Sequence, residues 1–103
     1  MSILMEFSMF PTDKGTSVSE YVSEVIKMIK DSDVRYQLTG MGTIIETDKM
    51  DEALEIVRKS YDVLKPHSDR IYSTVKFDIR HDADNRLENK IKSVENKIGE
   101  VEK

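Results

Sequence analysis

A chain of 103 residues has room for one domain and one modest core, because a fold of this size leaves roughly a third of its unfolded surface in water. Sixteen basic against 20 acidic side chains give a net charge of −4, which argues against a general binder of nucleic acid or anionic membranes. The absence of cysteine excludes disulfides, thiolate metal sites and cysteine nucleophiles, and a reducing, cytoplasmic setting is the natural expectation.

Residues 3–10 alternate with apolar side chains at every odd position, predicting a strand with its odd face inward. The run lacks a basic lead and is interrupted by Glu6, unlike a secretion signal, and nothing approaches the ~20 apolar residues of a membrane-spanning helix. Pro11 ends the strand, and Asp13 and Gly15 mark a loop. Ser17 with Glu20 forms a capping box, after which Val18, Val22, Val25, Ile26 and Ile29 line one helical face. Residues 34–38 and 43–47 read as two short strands joined across Gly40-Met41-Gly42. Asp48 is the expected N-cap of a second helix with a stripe at Met50, Ala53, Leu54, Val57, Tyr61 and Leu64, halted by Pro66. Residues 70–79 alternate again, with the Ile71, Ser73, Val75, Phe77 and Ile79 set expected under the helices. Residues 82–103 are charged and read as helical, with a narrow stripe at Leu87, Ile91, Val94 and Ile98.

The resulting β-α-β-β-α-β order predicts an α+β, ferredoxin-like two-layer sandwich over residues 1–81, with an appended C-terminal helix over residues 82–103 packed on the domain or on a neighbouring subunit. Its open sheet face should carry Leu4, Glu6, Ser8, Phe10, Tyr72, Thr74, Lys76 and Asp78, joined by Gln37, Thr39, Ile44 and Glu46. Apolar residues interleaved with a few charges suit a face buried against another subunit. Carboxylates enclosed there need a partner, either Lys76 or an arginine, or a ligand bearing amino or cationic groups.

Several chemistries lack a sequence pattern. Gly40-Met41-Gly42 leads into a strand and lacks dinucleotide-fingerprint spacing, His67 and His81 have no partner at metal-ligand spacing, and no serine sits in a nucleophile elbow. No metal, cofactor or catalytic residue is assigned.

The segments Ser8-Met9-Phe10-Pro11, Thr16-Ser17-Val18-Ser19-Glu20-Tyr21-Val22, Tyr36-Gln37-Leu38-Thr39-Gly40-Met41-Gly42-Thr43-Ile44-Ile45-Glu46 and Val75-Lys76-Phe77-Asp78-Ile79-Arg80 together resemble the small thiamine-binding-protein family of stand-alone ferredoxin-like proteins. Asp31-Ser32-Asp33 stands where that family usually has a glycine before its second strand. The resemblance implies a non-catalytic binder of thiamine or its hydroxymethylpyrimidine part, assembled as a dimer or tetramer through open sheet faces. Carried over by position, it points to Ser8, Pro11, Thr39, Met41, Thr43 and Glu46 as ligand-binding residues. Ser8, Thr39 and Thr43 would read the edge of an aminopyrimidine, Glu46 would accept from its amino group, and Met41 would pack on the ring. The alternatives are a structural or regulatory interaction module with no small ligand and, last, a small enzyme using His67 or His81.

Overall fold

Alternation along the first strand places Ile3, Met5, Phe7 and Met9 on one side, where each is nearly or fully enclosed, and this row is the floor of the core. The protein, seen in a computed structural model that describes residues 1–16 and 18–102, runs β1 (Ser2–Pro11), α1 (Ser19–Asp31), β2 (Arg35–Thr39), β3 (Gly42–Thr47), α2 (Met50–Leu64), β4 (Ile71–Arg80) and α3 (Arg86–Ile98), with a 3₁₀ turn at Lys65–His67 after α2. The strands form one antiparallel sheet in the order β2-β3-β1-β4, the split-βαβ topology of the ferredoxin-like fold. Val25 and Ile29 of α1, with Ala53, Ile56 and Leu64 of α2, close over β1 and Ile45 of β3. Each such large apolar side chain taken from water contributes about 1.5–3 kcal/mol.

The register assigns the two faces. Leu4 lies opposite Glu46 and Asp78, Glu6 opposite Ile44 and Lys76, Ser8 opposite Thr74, and Phe10 opposite Tyr72, while Gln37 faces Ile44. These residues share the face away from α1 and α2, as the alternation predicts.

Four local expectations require correction. Lys49, in extended backbone, occupies the N-cap of α2 and makes no side-chain cap, while Asp48 reaches Arg35 Nη2 at 3.4 Å instead. The buried stripe of α2 runs through Ala53, Ile56, Ser60 and Leu64; Leu54 and Tyr61 sit at its margin, 49% and 44% exposed. The helical part of the C-terminal segment is confined to α3, because Asn85 takes a left-handed conformation (φ 53°) just before it and Gly99 another positive φ just after it. Finally, Val75, Phe77 and Ile79 lie on the helix side of the sheet but are 38–42% exposed, because the helices pack over β1 and β3 and β4 is the outer strand beyond them. The capping role expected of Ser17 lies outside the described residues.

Asp33, in the loop before β2, adopts φ 58°, a conformation that aspartate tolerates better than most residues. At the β2–β3 turn the two central residues, Gly40 and Met41, have no positive φ; the Thr39 hydroxyl holds the turn by accepting from the Met41 and Gly42 N–H groups and donating to the Gly42 carbonyl. Gly42 is needed for a different reason: a Cβ there would stand 3.0 Å from the Phe7 carbonyl oxygen of β1. Gly42→Ala is therefore expected to destabilise the protein by about 1–3 kcal/mol, as forced overpacking does. Gly40→Ala, whose Cβ meets open space, should stay within about 0.5 kcal/mol of the parent. Urea denaturation of the two variants checks the contrast, and equal stabilities would contradict the close approach.

Candidate functional site

The sheet has a notch at one end. β1 pairs with β4 along its whole length, from Ser2 opposite Arg80 to Pro11 opposite Ile71, but its ladder with β3 stops at Phe7 opposite Thr43. Beyond that pair, β1 continues without a neighbour on the β3 side, and the space is bounded by α1 and the β2–β3 turn. The cavity there is about 280 Å³, walled by Phe7, Met9, Val22, Val25, Ile26 and Leu38. Main-chain groups of successive strand residues point alternately to either side. The Phe7 carbonyl lies beside Gly42 and the Ser8 carbonyl accepts from Ser73 Oγ on the β4 side at 2.9 Å, so the Met9 N–H and C=O turn into the notch.

The residues expected at the site divide between places. Ser8, Thr39, Met41 and Thr43 all border this notch. Their side chains do not act alike. Ser8 Oγ lies 3.1 Å from Thr74 Oγ1 on the open face, and Thr39 Oγ1 is engaged in the turn. Thr43 is 3% exposed, on the α1 side of the sheet, and Met41 stands at the turn tip, 91% exposed. Pro11 is buried at the far end of β1 opposite Ile71. Glu46 lies three residues beyond Thr43, about 10 Å along β3, and on the opposite sheet face.

Glu46 is the chain's fully enclosed carboxylate among the described residues, at 1% exposure, and its environment explains how a charge is kept there. Ser2 Oγ donates to Oε2 at 2.5 Å, the Arg86 N–H donates to Oε2 at 2.9 Å, and the Leu87 N–H donates to Oε1 at 3.2 Å. Arg35 Nη1 stands 3.6 Å from Oε1. The two N–H groups belong to the first turn of α3, which Asn85 does not cap with its own side chain, so a carboxylate from strand β3 satisfies and charge-complements that helix start. Arg86 reinforces the joint: Nε donates to Ser2 Oγ at 3.0 Å, Nη2 donates to the Ser2 and Asp78 carbonyls, and Nη1 pairs with Asp78 at 3.0 Å. Burial by itself would raise the pKa of Glu46, but the Ser2 hydroxyl, the two α3 amides and the Arg35 charge outweigh it and hold the pKa below the usual glutamate value.

The acceptor positions expected to serve an aminopyrimidine are thus occupied by the protein's own donors. α3 leaves this joint along β3 and β2, bordering a groove of about 620 Å³ with Arg35, Gln37, Leu87 and Ile91 in its walls. Sequence reading left Lys76, an arginine or a ligand open as partners of an enclosed carboxylate, and the structure supplies Arg35. That reading held no sign of Ser2 or of the α3 amides, since a cap supplied from another element leaves no local spacing to find. His67 lies against Tyr21 and 3.7 Å from Glu24, and neither it nor His81 borders the notch.

Because the Glu46 pKa is depressed on folding, its contribution is complete above the unfolded value of about 4.3 and is lost as pH falls through the folded value. Acidification below that range should release α3, seen as faster hydrogen exchange at the Arg86 and Leu87 amides. Glu46→Gln should produce the same release at neutral pH at a cost on the order of 2 kcal/mol, since an amide NH₂ replaces one acceptor facing N–H donors. Unchanged exchange at those two amides in the variant would contradict the capping role.

The chain is similar along most of its length to proteins of several organisms. A UPF0045 protein of Methanothermobacter thermautotrophicus is 44% identical over 85 residues, covering 82% of this chain and 86% of that protein. The crystal structure of hypothetical protein MJ1052 from Methanocaldococcus jannaschii superposes with a TM-score of 0.81 at 34% identity, covering 90% of this chain and 95% of that one. At 15% identity, a candidate thiamine biosynthesis/salvage protein of Thermotoga maritima shares the fold, with a TM-score of 0.78 over 91% of this chain and 99% of that one. The family model described as thiamine-binding protein matches residues 5–95, and the chain belongs to that family.

Proposed function

We propose that this protein binds thiamine, or a pyrimidine related to it, in the notch between β1, the β2–β3 turn and α1, and that it does so without catalysing a reaction. The observation that carries the reading is the chemistry of the notch. Its walls are apolar, its enclosed hydroxyl is that of Thr43, and the Met9 N–H and C=O offer one donor and one acceptor side by side. A flat aminopyrimidine presents a matching acceptor and donor on one edge, so main chain and Thr43 would read the ring while Met41 folds over its face. Membership of the thiamine-binding protein family supports the ligand class.

The site residues take distinct roles in this reading. Thr43 and Met41 meet the ligand, Thr39 sets the turn that positions both, and Ser8 and Pro11 fix the course of β1 on either side of Met9. Glu46 acts at one remove by holding α3. No ionisable side chain among the described residues borders the notch, so it offers no acid or base for catalysis and no cation for a phosphate. The reading therefore favours the unphosphorylated vitamin, its thiazolium left at the solvent-facing mouth. We place the protein in the cytoplasm and assign it a homo-oligomeric state built in part through the open sheet face; no helix among the described residues is long and apolar enough to cross a membrane.

Isothermal titration with thiamine, hydroxymethylpyrimidine and thiamine diphosphate tests the proposal. Thiamine should bind, the diphosphate should bind at least tenfold more weakly, and Thr43→Val should lower thiamine affinity about tenfold, the worth of one buried hydrogen bond. Full affinity in the Thr43→Val protein would move the site elsewhere, and no heat with any of the three would favour an interaction module.

A further inference from the structure

The chain has no cysteine, so its six methionines supply all of its sulfur and all of its reversible thiol or thioether oxidation. They differ widely in exposure. Met5 and Met9 are enclosed under the helices, Met28 and Met50 pack against the core, and Met1 is half-exposed at the far end of β1, where its ammonium pairs with Asp84. Met41, at the tip of the β2–β3 turn, is 91% exposed and borders the mouth of the notch. An oxidant in solution therefore reaches it far more readily than the methionines that hold the core. We propose that Met41 is a reversible oxidation switch on the notch: a peroxide converts its thioether to the sulfoxide, which weakens ligand binding there while the fold stands. The switch rests on the proposed function, in which Met41 covers the ring of a thiamine-type ligand.

The turn does not depend on the side chain that is oxidised. Its backbone is held by the Thr39 hydroxyl, through the Met41 and Gly42 N–H groups and the Gly42 carbonyl, and the Met41 side chain takes no part in the hydrophobic core. In the reaction the Met41 Sδ lone pair attacks one peroxide oxygen. An S–O bond forms as the O–O bond breaks, and the departing hydroxide takes the proton from the new S–OH group to leave as water, so sulfur is oxidised and the peroxide reduced. The product is a polar, chiral side chain in place of a flexible apolar one. A sulfoxide oxygen needs hydrogen-bond donors, and pressing it onto a flat ring beside Val22, Ile26 and Leu38 strips its water with no side-chain donor there to replace it. The coupling is reciprocal: a ligand that binds the thioether form better, and covers Met41, also shields it from peroxide.

The test exposes the full chain to hydrogen peroxide, destroys the excess with catalase, locates the sulfoxides by peptide mass spectrometry and measures thiamine affinity by isothermal titration. Met41 sulfoxide should form at least about tenfold faster than the Met5 and Met9 sulfoxides, and saturating thiamine should slow it. Affinity for thiamine should fall about tenfold with an unchanged circular dichroism spectrum, and methionine sulfoxide reductase should restore it. Met41→Leu removes the sulfur, so the affinity of that variant, whatever its starting value, should not change on peroxide treatment. Full affinity in protein whose Met41 is entirely sulfoxide overturns the switch and leaves the proposed function standing, as does an equal peroxide-induced loss in the Met41→Leu protein. Oxidation of Met5 or Met9 as fast as that of Met41 overturns the switch as well. Untreated protein that binds no thiamine overturns the proposed function and the switch together.

Discussion

β1 is held between two partners of unequal reach, and the rest of the molecule is arranged around that mismatch. β4 follows it for ten residue pairs and β3 for five. Where both neighbours are present, the odd side chains of β1 are roofed by α1 and α2 and form the core. Where β3 has ended, the same strand offers unpaired main chain next to apolar walls, which is the notch. The β2–β3 turn can border that notch closely because Gly42 carries no side chain against Phe7. A site built in this way is rigid on its strand side, since β1 remains bonded to β4 throughout.

The opposite end of the sheet solves a different problem. There the chain leaves β4, crosses to the open face and starts α3 with no side-chain cap of its own. A helix start needs acceptors for its first N–H groups, and a buried carboxylate needs donors. Glu46 and the Arg86 and Leu87 amides satisfy one another, with Ser2, Arg35 and the Arg86 guanidinium completing the shell. No residue of α3 is fully buried, Leu87 and Ile91 being half-buried on the sheet, so this polar joint is the most enclosed attachment of the helix. It also explains why a glutamate sits in a strand whose neighbours, Ile45 and Thr47, serve the core.

The fold was legible because its strands alternate cleanly and its helices carry stripes, so element order and the two sheet faces followed from period alone. The readings that needed revision all depended on relations between elements. Alternation told which face Val75, Phe77 and Ile79 occupy but not that the helices stop short of β4. Asp48 had the right chemistry for a cap but found Arg35 nearer. Family position gathered Ser8, Thr39, Met41 and Thr43 at one notch, yet hydroxyl direction depends on strand parity and turn geometry, which split Ser8 and Thr39 from Thr43. Glu46 was expected to face a ligand; in the structure it accepts from the main chain of a helix forty residues on, a relation the local sequence does not carry.

The most direct test of the central claim is to map where thiamine acts on the ¹⁵N-labelled chain by amide chemical shifts. The account predicts saturable shifts at Met9, at Gly40 to Thr43 and on the facing turn of α1, with the Arg86 and Leu87 amides unmoved. Shifts confined to Arg35, Gln37 and α3 would place the ligand in the other groove and contradict it.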